Sequence, residues 1–171
     1  MPHRTPQTTC MFLVQAFASH LNIQSRAQAE IDSVLGLAGS SPLPEQIETP
    51  KLPYMTACLN EILRWRPAVV LGTPRMTLAG GTVLGYYIPK GTQILINMWA
   101  IHHNPEDYDE PERFDPGRFL PNRLGTKYDP EEKGDMSSWR KPVYTFGAGR
   151  RICQGELVTI EAMHILFAVL L

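Results

Sequence analysis

Phe146-Gly147-Ala148-Gly149-Arg150-Arg151-Ile152-Cys153-Gln154-Gly155 sets one cysteine in a loop rich in glycine and arginine, directly ahead of an apolar helical pattern. A thiolate suits that position, because the free N–H groups and the dipole of a helix start favour negative charge. The flanking Arg150 and Arg151 suit an anionic partner, and the glycines let backbone approach something large and flat. A haem held through a cysteine thiolate needs all three features together. Taken alone, the loop also fits a structural cysteine at a tight turn, since free cysteine is commonly buried.

Working outward, the rest of the chain narrows the choice. Its 171 residues amount to about one domain, and 43% apolar against 19% charged residues is a composition that packs a core. The formal net charge is −1, with no basic run for nucleic acid and no acidic tail. Cys10, Cys58 and Cys153 include no Cys-x-x-Cys pair, which argues against zinc-ribbon and thioredoxin-type sites and fits a reducing compartment better than a disulfide framework. Met1–Cys10 is polar and carries Pro2 and Pro6, so it does not read as a signal peptide. The longest apolar stretch, Ile165–Leu171, is too short to span a bilayer, and the chain reads as soluble or peripheral, with no membrane segment of its own.

The periodicity predicts mainly helix with a few short strands. Met11–Phe17 is apolar and helical. Gln24–Leu35 is amphipathic, with Ile23, Ala27, Ile31, Val34 and Leu35 at helical spacing and Gly36 as the stop. Ala38–Pro50 reads as a proline-broken loop, and Pro53–Trp65 as a helix with proline in its first turn. Between Arg75 and Asn97, Val83-Leu84, Tyr86–Ile88 and Gln93–Ile96 give two or three short strands, with a brief helix at Met98–His102. Asn104–Pro142 is a long proline-rich excursion, expected to be anchored by Phe114, Phe119, Leu120 and Trp139. Glu156–Leu171 is apolar throughout and is expected to be a buried helix.

Glu61 and Arg64 share one face of the Pro53–Trp65 helix. Alone, they read as an ordinary surface ion pair. Followed in order by Pro116-Gly117-Arg118-Phe119 and by Phe-x-x-Gly-x-Arg-x-Cys-x-Gly, they make the chain resemble the C-terminal part of the cytochrome P450 family from about Gln24 to Leu171. The cysteine motif is matched at Phe146, Gly149, Arg151, Cys153 and Gly155. The wording of Leu63–Leu120 looks like filamentous-fungal members that act in secondary metabolism.

The resemblance implies a fold that is mainly α with short β-strands: a single incomplete cytochrome P450 domain over residues 1–171, with 1–22 a divergent remnant of the central helix and 23–171 family-like. It implies haem b bound through Cys153, with Arg151 and, by a weaker transfer, Arg75 at the propionates. Phe146 would lie beside the thiolate, and Gly149 and Gly155 would allow close backbone approach. Glu61, Arg64 and Arg118 look like the family's buried Glu-Arg-Arg network. Arg113 competes for the third place, because Pro111-Glu112-Arg113-Phe114 spells the family's tetrapeptide and Gly117 replaces its usual Glu. Val69, Val70 and Leu71 would face substrate, or simply pack in the core. Thr8-Thr9 look like the central helix's acid–alcohol pair, but Gln7 stands where an acid is expected and Pro6 predicts a break, which favours a loop for this start.

The implied activity is oxygen-dependent oxidation of a small apolar organic substrate, with electrons from an NADPH-dependent reductase for which Arg150 is a candidate contact. Eukaryotic members are mostly anchored at the endoplasmic reticulum, and such an anchor is expected outside this chain. A non-catalytic haem-binding remnant and a helical interaction module remain the alternatives. His102-His103 lacks a third ligand at metal spacing and reads as surface or core polarity. The single Glu161-x-x-His164 falls short of a di-iron set, and Cys58 reads as inert core.

Overall fold

Helix α3 (Pro53–Trp65) is the element on which the others assemble, and its sequence explains why. Pro53 occupies the first turn, where a missing N–H costs nothing, and Tyr54, Met55, Ala57, Cys58, Leu59, Ile62 and Leu63 are buried along it. No side chain of its own caps its start. Instead Glu30 of helix α2 (Leu21–Leu35) reaches across and accepts from the N–H groups of Tyr54 and Met55, both at 2.8 Å. A carboxylate against the positive end of a helix satisfies two orphan donors and fixes how α2 meets α3. Gly36, at φ 91°, ends α2 as expected.

The computed structural model describes residues 4–36, 52–127 and 141–171. The expected Ala38–Pro50 loop and the anchor Trp139 lie outside them. Helix α1 (Arg4–Ser19) is longer than its apolar stretch predicts. The break expected at Pro6 does not occur, because the helix begins at Arg4 and leaves Pro6 in the first turn, where its lack of an N–H is harmless. Leu13 and Phe17 of α1, Ile23, Ala27 and Ile31 of α2, and Met55, Leu59 and Ile62 of α3 join Phe114, Phe119 and Phe167 in one core. Each large side chain buried there stabilises the fold by about 1.5–3 kcal/mol.

Four short strands follow among the described residues. β1 (Arg75–Met76) pairs antiparallel with β4 (Gln93–Ile94), and β2 (Gly81–Val83) pairs with β3 (Tyr86–Ile88). The β2–β3 hairpin turns through Leu84 and Gly85, at φ 49° and 84°, which is the positive-φ geometry a two-residue hairpin favours. Helix α4 (Met98–His102) is capped by the Asn97 side chain, which accepts from the Ala100 N–H. A 3-10 turn at Pro116–Phe119 packs on α3.

Two expectations need correction. Leu120 is 43% exposed and anchors nothing, whereas Phe114 and Phe119 are buried as anchors should be. Helix α5 (Glu156–Leu170) is not buried throughout: Met163, His164, Phe167 and Ala168 are, but Leu157 and Val158 are 76% and 73% exposed. The cause is geometric. A helix that is apolar all round has only one face turned toward α1 and α3, and the rest meets solvent among the described residues.

Candidate functional site

The site begins with a charge network buried under the excursion. Both carboxylate oxygens of Glu61 accept from Arg64, Oε2 from Nε at 2.7 Å and Oε1 from Nη2 at 2.8 Å. Glu61 Oε1 also accepts from the Asp115 N–H at 2.8 Å and from Arg118 Nε at 3.2 Å. Arg64 uses its remaining donors on the carbonyls of His102, Pro111 and Arg113, at 2.8, 2.9 and 3.2 Å. Its guanidinium also lies over the Tyr108 ring, 5.1 Å from the centroid. Every N–H of the Arg64 fork has an acceptor, which is the condition for holding a fully buried cation. Arg118 Nη1 donates to the Asp109 carbonyl at 3.1 Å.

Arg118, not Arg113, therefore presents its side chain to Glu61. Arg113 contributes a carbonyl, while its guanidinium is 63% exposed and pairs with Glu110 at 2.9 Å. The duplicated tetrapeptide is resolved by the turn at Pro116, which Asp115 caps by accepting from the Gly117 N–H at 2.9 Å. That turn points Arg118 back at α3.

The cysteine loop is tied to this network. Thr145 Oγ1 donates to the Leu63 carbonyl at 2.8 Å, so α3 holds the loop's entry. The Gly147 N–H donates to the Tyr144 carbonyl at 2.7 Å, the Cys153 N–H to the Phe146 carbonyl at 2.9 Å, and the Glu156 N–H to the Cys153 carbonyl at 3.3 Å. Gly147 and Gly149 take φ of 78° and 69°, a region costly for other residues. A Cβ built on Gly149 would meet nothing within 4 Å, and one on Gly155 would touch the Cys153 Sγ at 3.8 Å. The loop is thus open at Gly149 and close against the sulfur at Gly155. Cys153 is exposed and stands just ahead of the first turn of α5.

Cys153 borders a cleft of ≈ 500 Å³, a size suited to a cofactor. Phe146, Gly147 and Gly155 line it from the loop, Leu59 and Leu63 from α3, and Met163 from α5. Arg75 and Arg151 line it too, and Arg75 Nη2 donates to the Arg151 carbonyl at 2.8 Å. Val69 reaches the cleft, while Val70 and Leu71 are absent from its lining. Sequence reasoning considered Thr8-Thr9 as a remnant of the central helix's pair but preferred a loop, and the structure instead gives helix that reaches the cleft. Thr5, Pro6 and Thr9 line the cleft, and the buried Thr9 donates its hydroxyl to the Thr5 carbonyl at 3.2 Å. The signal was the helical spacing of Thr5, Thr9 and Leu13, masked by Pro6.

Of the polar residues set aside earlier, His164 has its partners close by. His164 Nε2 and Nδ1 lie 3.1 Å from Thr56 Oγ1 and 2.9 Å from the Ile160 carbonyl. Burial pushes the Cys58 thiol well above its ordinary value. Among the described residues no group of three His, Cys, Asp or Glu is placed to hold a bare metal ion, and no helix is long and apolar enough to cross a membrane.

A cysteine in a glycine-opened loop borders an apolar cleft with arginines at its edge, braced by a buried Glu-Arg-Arg network, and this is the arrangement of a cofactor-binding enzyme fold. The chain belongs to the cytochrome P450 family, whose model matches residues 3–171. It is 40% identical over 88% of its length to a cytochrome P450 monooxygenase of Armillaria gallica and 36% identical over 94% to the cytochrome P450 monooxygenase yanC of Aspergillus niger. It is 34% identical over 96% of its length to the steroid 17-alpha-hydroxylase/17,20 lyase of Gallus gallus. These matches cover 28%, 29% and 30% of the relatives, so the chain spans less than a third of their length. Among solved structures, a zebra fish cytochrome P450 with abiraterone superposes with a TM-score of 0.78 at 32% identity, over 96% of this chain and 35% of that one. The fold is accordingly a partial cytochrome P450 fold, mainly α with short strands.

Proposed function

We propose that this chain is the haem-binding part of a monooxygenase that oxidises a small apolar organic substrate with molecular oxygen, within secondary metabolism. The carrying observation is the exposed Cys153 sulfur at the edge of an apolar cleft that Arg75 and Arg151 also line. The residues present fit haem b: one soft anionic ligand, two cations for its carboxylates, and glycines where a side chain would intrude. Bound there, haem would supply the oxygen chemistry, which the protein tunes and shields.

Each residue then has a physical task. Cys153 would hold the haem iron through its sulfur, from the residue just ahead of α5. Arg75 and Arg151 would neutralise the haem carboxylates, and the Arg75 bond to the Arg151 carbonyl ties the two residues together. Phe146 would lie beside the haem from the loop side, and Gly155 leaves room next to the sulfur, where a Cβ would come within 3.8 Å. Val69 and Ile96 give the substrate side an apolar wall, and the Thr9 hydroxyl is the proton-handling group closest in kind to an alcohol relay. Arg150, exposed on the loop, would meet an NADPH-dependent reductase. The fungal monooxygenases among the relatives support the reaction class, and the steroid hydroxylase supports an apolar substrate.

The exposed apolar faces of α1 and α5 favour a second reading, a haem-binding piece without turnover. One experiment separates the two. The chain is expressed with haem, and reduced carbon-monoxide difference spectra are recorded for wild type and Cys153→Ala. A thiolate-type band lost in the variant, with product formed once a reductase is added, is the expected result. The band without product leaves the second reading, and no haem uptake overturns both. Reduction rates unchanged by Arg150→Glu would remove Arg150 from the reductase contact.

A further inference from the structure

We propose that His102 is a positioning residue for the cysteine loop, its imidazole joining the buried Glu61–Arg64 network to the backbone that leads into Cys153. The functional meaning of this rests on Cys153 as the haem ligand; the tie itself rests on geometry alone. His102 ends α4 and is fully buried. Its carbonyl accepts from Arg64 Nη1 at 2.8 Å, and its Nε2 accepts from the Tyr144 N–H at 2.9 Å. One residue thus touches both the network and the loop.

The second contact fixes the tautomer. A nitrogen that accepts from an N–H carries a lone pair, so the proton sits on Nδ1. That Nδ1 is buried with no hydrogen-bond partner among the described residues. A buried donor without an acceptor costs stability, and a phenylalanine or leucine would fill the same space without that cost. What only the imidazole supplies here is the acceptor for Tyr144. Burial and the nearby Arg64 guanidinium hold the ring's pKa down at about 4, so the acceptor is available at neutral pH.

The tie acts where the loop needs it. Tyr144 is held by His102, Thr145 by the Leu63 carbonyl of α3, and the Phe146 carbonyl accepts from the Cys153 N–H. Two consecutive residues are therefore fixed to two different helices, α4 and α3, and the third closes the loop on Cys153, which sets the register in which Cys153 faces the cleft. Thr145 alone would leave the segment free to pivot about one bond.

The test uses the full chain. Nitrogen NMR of the histidines at pH 7 should show His102 as the neutral Nδ1–H tautomer; the Nε2–H tautomer or an imidazolium overturns the proposal. His102→Phe keeps the volume and removes the acceptor, whereas His102→Gln returns an oxygen near the Nε2 position. The Gly147 and Cys153 amides should exchange with deuterium about tenfold faster in the phenylalanine variant, and near the wild-type rate in the glutamine variant. With haem added, the carbon-monoxide band should move from thiolate-type toward thiol-type in the first variant only. Equal exchange in phenylalanine variant and wild type, or no rescue by glutamine, overturns the proposal. Should neither variant fold, the wild-type tautomer decides. Expected exchange and tautomer without haem uptake would sink the functional reading and leave the tie standing; haem uptake with unchanged exchange would do the reverse.

Discussion

Two groups of arginines, built from one side chain, are put to opposite uses in this molecule. Arg64 is fully buried, with every donor matched to a carboxylate or a carbonyl. Arg151, on the cysteine loop, is exposed and makes no ion pair among the described residues, and Arg75 spends one donor on the Arg151 carbonyl. A saturated guanidinium has nothing left to offer a ligand and serves to hold the fold. One with open donors at a cleft edge has given up that role and can take an anion. The contrast is a matter of accounting for donors, not of residue type.

The largest expected effect lies on the saturated side. Glu61→Gln leaves Arg64 and Arg118 buried against a neutral amide and should cost about 3–5 kcal/mol, a large share of a typical domain's stability; denaturant unfolding followed by far-UV circular dichroism measures it. Next comes acid. His102 titrates at about 4 in the folded chain, below the ordinary 6.5, and burial pushes His103 the same way. The folded state thus binds fewer protons than the unfolded one in that window, so stability is full above about pH 6.5 and falls as pH drops toward about 4. Denaturant midpoints across that range should show the slope, and His102→Gln should flatten it.

Arg151→Ala sharpens the contrast from the other side. Haem affinity, read by Soret titration, should fall about tenfold through loss of a charge-assisted contact, with the unfolding midpoint unchanged. A destabilised Arg151→Ala would mean that the two groups are not distinct. Thr145→Val removes the strap to Leu63 and should lower stability by about 1 kcal/mol in the same unfolding assay. Arg113→Ala, exposed and outside the network, should leave the midpoint where it was; a loss comparable to that of Glu61→Gln would reassign the third member.

Helix α3 and the cysteine motif were legible in sequence because their signals are local. Proline in a first turn, apolar spacing, and a glycine–arginine–cysteine string each act within a few residues of themselves. The choice of Arg118 over Arg113 was only weakly legible, since the two candidates share the same neighbours in kind, and it is the turn at Pro116 that decides between them. The role of His102 was illegible. It depends on Tyr144, which arrives from the far side of the excursion, and no spacing announces a contact between residues so far apart in the chain. The start of α1 was misread for a different reason: a proline inside a helix and a proline in its first turn look alike until the boundary is known. The exposure of α5 went unread because apolar composition reports the capacity for burial, not the partner that supplies it.

The hairpin tip carries a consequence for anyone who makes this protein. Leu84 combines a backbone angle that leucine dislikes, φ 49°, with a side chain 93% in water. Asparagine tolerates that angle, and Asn-Gly is the sequence such turns prefer. Leu84→Asn therefore relaxes the strand reversal and removes a sticky knob in one change, giving the purifier a more soluble chain at no expense to the cleft.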